Sequence, residues 1–361
     1  MKYIGFISVF SLSIAFFFMA FESEYRVYAY LFLFLFVLAS FLGVLSFKKN
    51  FRLVDFNYDI KLLLSVVSFL CAINIYSSYQ INDYMEWFDI FRVIYVILVI
   101  VGLVISINIW GVKWYTDRLV IIISLLSVLS LFFYYLGFYL DSTNFYASML
   151  LLPAMYLLTE KKYKYFSFIL LLTLFLGIAL EARGAYMGVI LFLMVYYCNR
   201  LIKIPPPVMV LGIVLILTGQ VLLLLKPSVI ADEILSYRPT IWNYYIYEGF
   251  ENLWIGGGPI LTYIAEGAAA HYQSMIGRGV GTAYGTQSMY VLYFYESGIV
   301  GLCLLLFMMF TVFYTKSRYI IPFFSISVLA FMETIKIGAV SIYGLPFTYF
   351  LVLSLVTKRR K

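Results

Sequence analysis

The chain has 361 residues, of which 64% are hydrophobic and only 12% charged, and its mean hydropathy is +0.97. Soluble domains carry about 25% charged residues, so this chain lacks the polar surface to cover a globule in water and belongs in a bilayer. The formal charge of +7 comes from 25 basic and 18 acidic side chains; their placement makes it a topology signal, and no nucleic-acid partner follows from it.

In chain order, continuous apolar stretches cover residues 3–21, 27–47, 60–79, 90–110, 119–140, 144–159, 165–181, 184–199, 207–225, 287–314, 319–335 and 340–357. A helix needs about 20 such residues to cross a hydrocarbon core of about 30 Å. The runs do not alternate with period 2, which argues against a barrel. They predict an all-α polytopic membrane protein with about 12 transmembrane helices, or 11 if the short eighth stretch tilts or breaks. The first stretch reads as a span and not as a cleaved leader, because Glu22, Glu24 and Arg26 follow it in place of a small-residue cleavage site.

Positive loops stay in the cytoplasm. With both termini inside, eighteen of the 25 Lys and Arg residues fall on that side, including Lys48, Lys49, Lys113, Lys161, Lys162, Lys316 and the basic tail. Arg26, Arg92, Arg183, Lys226, Arg238, Arg278 and Lys336 fall outside. Residues 1–225 then hold the first nine spans. Residues 226–286 form one large external loop, and residues 287–361 hold three more spans and the cytoplasmic tail.

Cys71, Cys198 and Cys303 lie far apart inside predicted spans and read as small buried hydrophobes. A single histidine excludes a His-based metal cluster, and no motif supports a carboxylate one. No metal or other cofactor is expected.

The external loop is too long for a bare connection and too aromatic to be disordered. Pro239 suits a first helical turn. From there Ile241, Trp242, Tyr245, Ile246, Phe250, Leu253 and Trp254 return at helical spacing, with Glu248, Glu251 and Asn252 on much of the other face. Gly256-Gly257-Gly258-Pro259 ends the run. This pattern predicts an amphipathic helix lying on the membrane surface. Residues 260–286 hold five glycines and read as flexible or lid-like.

Three outer arginines carry the candidate chemistry. Arg183 stands in Glu181-Ala182-Arg183-Gly184-Ala185, where one apolar helix ends and the next begins. A charge near membrane depth costs roughly 2.5–3.5 kcal/mol, which an ion pair with Glu181 or a bound phosphate in an aqueous cavity would offset. Arg238 precedes the loop helix, whose N-terminus already favours an anion, and its guanidinium fork suits a phosphate. Arg278 lies between Gly277 and Gly279 and is the third candidate. His271 reads as an ordinary loop residue before a catalytic one, and Glu333 and Lys336 read as partners of each other. Among the aromatics, Trp242, Tyr244, Tyr245 and Trp254 are the reasonable glycan contacts, because aromatics elsewhere are expected to face lipid.

The order Arg183-Gly184-Ala185, Arg238…Trp242, Gly256-Gly257-Gly258 and Glu296-Ser297-Gly298-Ile299-Val300-Gly301 resembles the O-antigen polymerase/ligase family, with its Wzy-type repeat-unit polymerases. The motifs span about 120 residues. The resemblance implies a GT-C-like fold in a bacterial inner membrane, with the active site facing the periplasm. It implies an inverting, metal-independent glycosyltransferase that joins oligosaccharide repeat units carried on undecaprenyl diphosphate into O-antigen, capsule or exopolysaccharide. Donor, acceptor, bilayer and a chain-length regulator are the partners it brings. Arg183 and Arg238 would stabilise the departing diphosphate, with Arg278, Trp242, Tyr245, Gln287, His271 and Glu248 around the substrate. Ligases place a histidine where this chain has Thr286-Gln287-Ser288. Gln287 can orient a sugar hydroxyl but cannot act as a base, which leaves Glu248, Glu251, Glu266 and His271 as candidates. Glu296 reads as positioning its own helix. A ligase and a flippase for the same lipid-linked glycan are the alternatives. The flippase is disfavoured because the unusual residues collect on one face and in one loop, whereas transporters carry internal repeats and mid-helix charges.

Overall fold

A computed structural model describes residues 2–19, 26–46, 58–82, 87–135, 148–179, 183–225, 235, 238–258, 262–276, 286–331, 333 and 344–357. These residues are all-helical. The helices are α1 (Lys2–Phe18), α2 (Arg26–Ser46), α3 (Tyr58–Asn82), α4 (Trp87–Trp110), α5 (Val112–Tyr135), α6 (Leu151–Thr159), α7 (Tyr163–Ala179), α8 (Arg183–Ile202), α9 (Pro206–Leu225), α10 (Arg238–Phe250), α11 (Thr262–Ile276), α12 (Met289–Phe313), α13 (Ile320–Leu329) and α14 (Gly344–Val356). Every predicted apolar stretch overlaps one of them, and α10 and α11 fall within the predicted external loop. Among the described residues, α2, α3, α9 and α12 are each long and apolar enough to cross a membrane. The pair α4 and α5 adds a fifth crossing if it counts as one span, bent by 117°. The bend falls at Gly111, whose φ of 81° suits glycine.

Among the described residues apolar side chains face outward as well as inward, as a lipid solvent allows. Leu211, Leu215 and Leu222 of α9 point outward, as do Phe168, Leu171 and Phe175 of α7. Hydroxyls lie inside: Ser8, Ser40 and Ser106 join α1, α2 and α4 through contacts of 2.9–3.4 Å, and Tyr115 of α5 reaches Ser8 at 3.3 Å. Small residues and interhelical hydroxyl bonds of this kind hold helices together where lipid outside is as apolar as leucine. The cysteines depart in part from their expected burial. Cys71 is buried, whereas Cys198 and Cys303 are exposed, and all three are free. A small apolar thiol tolerates a lipid-facing helix surface as well as a core.

The loop helix α10 forms where predicted, and protein covers part of its apolar face. Ile241, Trp242 and Tyr245 are buried against Ala268 of α11 and Val291 and Tyr295 of α12. Tyr247, Phe250 and Trp254 remain exposed. The segment predicted to be flexible contains α11. Its run Ala268-Ala269-Ala270 favours helix, and Gly267 is the one glycine inside it, placed where Tyr244 leaves no room for a Cβ.

The two glycine motifs of the sequence meet. Helix α12 breaks at Gly298 (φ 63°, ψ −162°), and the turn that follows α10 fills the break. The amides of Gly257 and Gly258 donate to the carbonyls of Tyr295 and Glu296 at 2.6 and 3.2 Å, and those of Ile299 and Val300 donate to Leu253 and Trp254 at 2.9 and 3.3 Å. From α3, Ser77 donates to the Ile255 carbonyl and Asn74 accepts from Ser297, at 2.8 and 2.6 Å. A Cβ on Gly256 or Gly298 would overlap the opposing backbone, and both residues have positive φ. Gly256→Ala and Gly298→Ala are therefore expected to lower the thermal midpoint in detergent by about 5 °C or more. Gly219→Ala, which meets open space, should leave it unchanged or slightly higher.

Candidate functional site

Three chain segments converge at one end of the bundle: the start of α10, the start of α12 and the residues that follow α13. Arg238 is the first residue of α10. Its amide and its Nη1 both donate to the Leu235 carbonyl, each at 3.3 Å. Its Nη2 lies 3.6 Å from Oε1 of Glu333, with the two side chains 19% and 21% exposed. Glu333 lies past the end of α13. The apolar run continues to residue 335, but the helix stops at Leu329, and the Ala330 carbonyl accepts the Met289 amide of α12 at 2.8 Å. Next comes Phe331, whose ring centroid sits 5.0 Å from that of Trp242.

Trp242 stands one turn along α10 from Arg238. It is fully buried, and its Nε1 has no hydrogen-bond partner among the described residues. Such a donor carries a desolvation cost of about 1–3 kcal/mol. Phe331 also lines an open groove of about 640 Å³ with Ile216, Gly219, Leu222 and Leu223 of α9. The groove is apolar and lies on the outward side of a helix long enough to cross a membrane. A guanidinium, a carboxylate and an apolar trough thus adjoin one another.

The start of α12 closes the other side. Ser288 caps the helix by accepting from the Val291 amide, and its hydroxyl also accepts from Gln220 of α9 at 3.1 Å. Gln287 just before it has φ of 49°, a left-handed conformation that costs a non-glycine residue about 1 kcal/mol. Burial pushes the Glu333 carboxyl up from 4.5 to about 7, and the Arg238 charge pulls in the other direction. Glu248 is also raised, by burial and then by Glu251.

The structure sorts the sequence candidates. Arg183 opens α8; its side chain and Glu181 lie outside the described residues, as do Arg278 and Lys336. A Cβ on Gly188 of α8 would lie 3.2 Å from Leu329 at the end of α13. Arg183, about 7 Å further along α8, therefore begins that helix at the end of the bundle where Glu333 and Arg238 meet. Lys336, the partner expected for Glu333, is among the residues outside the description; among the described residues Glu333 contacts Arg238, beyond the end of α13 at Leu329. Trp242 and Tyr245 present no face to a glycan in this conformation, since both are fully buried between α10, α12 and Phe331. Tyr244 is half-buried, and His271 rests against it with ring centroids 5.7 Å apart. Glu248 lies ten residues from Arg238, about 15 Å along the helix, so it stands apart from the pair. Glu296 is buried inside α12, two residues before the break, and its carbonyl anchors Gly258.

No family model matches the chain, and no curated protein or solved structure compared with it matches either.

The carboxyl of Glu333 gives the site a pH signature. Its folded value lies above its ordinary one, so the folded protein holds a proton that the unfolded chain has released. Stability from this group is complete below about pH 4.5 and is lost as pH rises through about 7. Wild type should lose on the order of 2 kcal/mol between pH 5 and pH 8 from this source. Thermal midpoints in detergent at the two pH values should show that slope, and Glu333→Gln should flatten it.

Proposed function

We propose that the protein is an inverting glycosyltransferase that polymerises lipid-diphosphate-linked oligosaccharide repeat units at the outer face of a bacterial cytoplasmic membrane. The observation that carries this reading is the juxtaposition of Arg238, at a helix N-terminus, with an apolar groove on the outward side of α9. An amphiphile with an anionic head and a long hydrocarbon tail fits both parts. The order of sequence motifs supports the same reading, and so does the docking of the Gly256-Gly257-Gly258 turn into the break of α12.

The chemistry asks little beyond that arrangement. An acceptor hydroxyl attacks the anomeric carbon on the face opposite the diphosphate, and the bond from that carbon to the diphosphate oxygen breaks. The bonding pair stays on the diphosphate. Arg238, and Arg183 from the start of α8, stabilise the charge that develops there, more in the transition state than in the ground state. The groove lined by Leu222 and Phe331 seats the polyprenyl chain. Gln287, strained and next to the cap of α12, is suited to orienting a hydroxyl. The ligase alternative lacks its histidine at this place.

Arg183→Ala and Arg238→Ala should each lower long-chain polysaccharide by about 100-fold or more, while single repeat units still reach the cell surface. Gel analysis of surface glycan in a deletion strain carrying each variant reads both quantities. Donor trapped on the cytoplasmic leaflet would point to a flippase instead, and normal chain-length ladders would remove the arginines from the mechanism. Gly219 lines the groove and a Cβ there meets no protein atom within 4 Å, so Gly219→Leu should raise KM for lipid-linked donor severalfold with kcat little changed.

A further inference from the structure

Glu333 has no part in the chemistry just described, yet its surroundings are costly for an idle carboxylate. It follows an apolar helix, is four-fifths shielded from solvent, and touches Arg238 through one contact of 3.6 Å. A forked arginine–carboxylate pair would make two contacts at about 2.8 Å. This contact is long enough for an incoming anion to replace it. On the polymerase reading above, we propose that Glu333 is the general base for the acceptor hydroxyl, held by Arg238 in the empty site and released when the donor diphosphate takes its place on the guanidinium.

The step balances without any further reagent. The acceptor O–H proton passes to the Glu333 carboxylate as the acceptor oxygen bonds to the anomeric carbon. The bond to diphosphate breaks, and its electron pair leaves on the diphosphate facing Arg238. Burial holds the Glu333 carboxyl near neutrality, the range in which a base works best at cellular pH. Arg238 is the charged group that pairs with it among the described residues. The adjoining ends of α9 and α12 supply Gln220, Gln287 and Ser288, none of which titrates near neutrality. Glu248 and Glu251 are too far along α10 to serve. Exchange of one anion for another on Arg238 also couples the two events, because the base becomes available only when a leaving group is present.

The experiment uses full-length protein in detergent, with undecaprenyl diphosphate as the binding probe and lipid-linked repeat unit extracted from a deletion strain as substrate. Glu333→Gln should bind undecaprenyl diphosphate at least as tightly as wild type, since the carboxylate that competes with the diphosphate is then gone. Its turnover should fall by about 10²–10⁴-fold. The wild-type kcat/KM, which reports the free enzyme, should drop tenfold per pH unit below about 7, and the residual kcat/KM of Glu333→Gln should be flat across the same range. Glu333→Asp should keep the acid limb at a reduced rate. Retained probe binding shows that the variants are folded. If wild type polymerises and Glu333→Gln does so at a comparable rate with the acid limb intact, Glu333 is not the base, while the polymerase reading survives. If wild type binds the probe but does not polymerise the extracted substrate, the polymerase reading itself is overturned, and this proposal with it.

Discussion

Almost everything in this fold follows from a solvent that cannot form hydrogen bonds. Leucines and phenylalanines face outward, serines face one another, and each backbone group at depth must find a partner within the protein. The break in α12 shows how strict that condition is. Gly298 interrupts a 25-residue helix, and the amides and carbonyls it frees are paired one by one with the turn at residues 253–258. A water-soluble protein could leave such groups to solvent. Here the turn after α10 must dock into the break, and docking it there fixes the direction in which α10 projects across the end of the bundle. The position of Arg238 is thus a consequence of backbone pairing some fifteen residues away.

Long apolar runs are the most legible feature of such a chain, because lipid-facing and core-facing positions are both apolar and no periodicity is needed to see them. The loop helix was legible too, from Pro239 and the spacing of Ile241, Trp242 and Tyr245. What covers its apolar face was not. Periodicity defines a face but does not say whether membrane or protein lies against it, and the answer came from Val291, Tyr295 and Phe331, 46 to 90 residues later in the chain. Helix α11 was hidden by counting glycines over the whole of 260–286, when four of the five lie outside the alanine-rich core of the segment. Glu333 was visible as the only carboxylate in its apolar stretch. Its contact with Arg238 was not legible, because the two lie 95 residues apart and meet only where α13 ends at Leu329.

The stop at Leu329 organises the candidate site. Had α13 continued, the Ala330 carbonyl would have been turned toward the helix axis; instead it accepts the Met289 amide at the start of α12. That one bond brings the end of α13 beside the cap of α12, where Ser288 is already tied to Gln220 of α9. Three helices are locked at the point where Phe331 reaches Trp242 and Glu333 reaches Arg238. The strain in Gln287 is offset by the same connections, which leave its backbone little alternative.

A buried ion pair is weak evidence for a stabilising role, since the desolvation of two charges can exceed their attraction. For Arg238 and Glu333 the balance is visible in the carboxyl itself, which burial lifts to about 7 even with a guanidinium beside it. A pair selected for stability would be closer and forked, and its carboxylate would be held ionised well below neutrality. This one has the opposite character: a contact of 3.6 Å, a carboxyl that burial lifts toward neutrality, and an indole N–H one turn away with no hydrogen-bond partner among the described residues. On the proposed reading the diphosphate displaces the carboxylate, because its charge and acceptor oxygens satisfy the guanidinium more fully than one contact of 3.6 Å does.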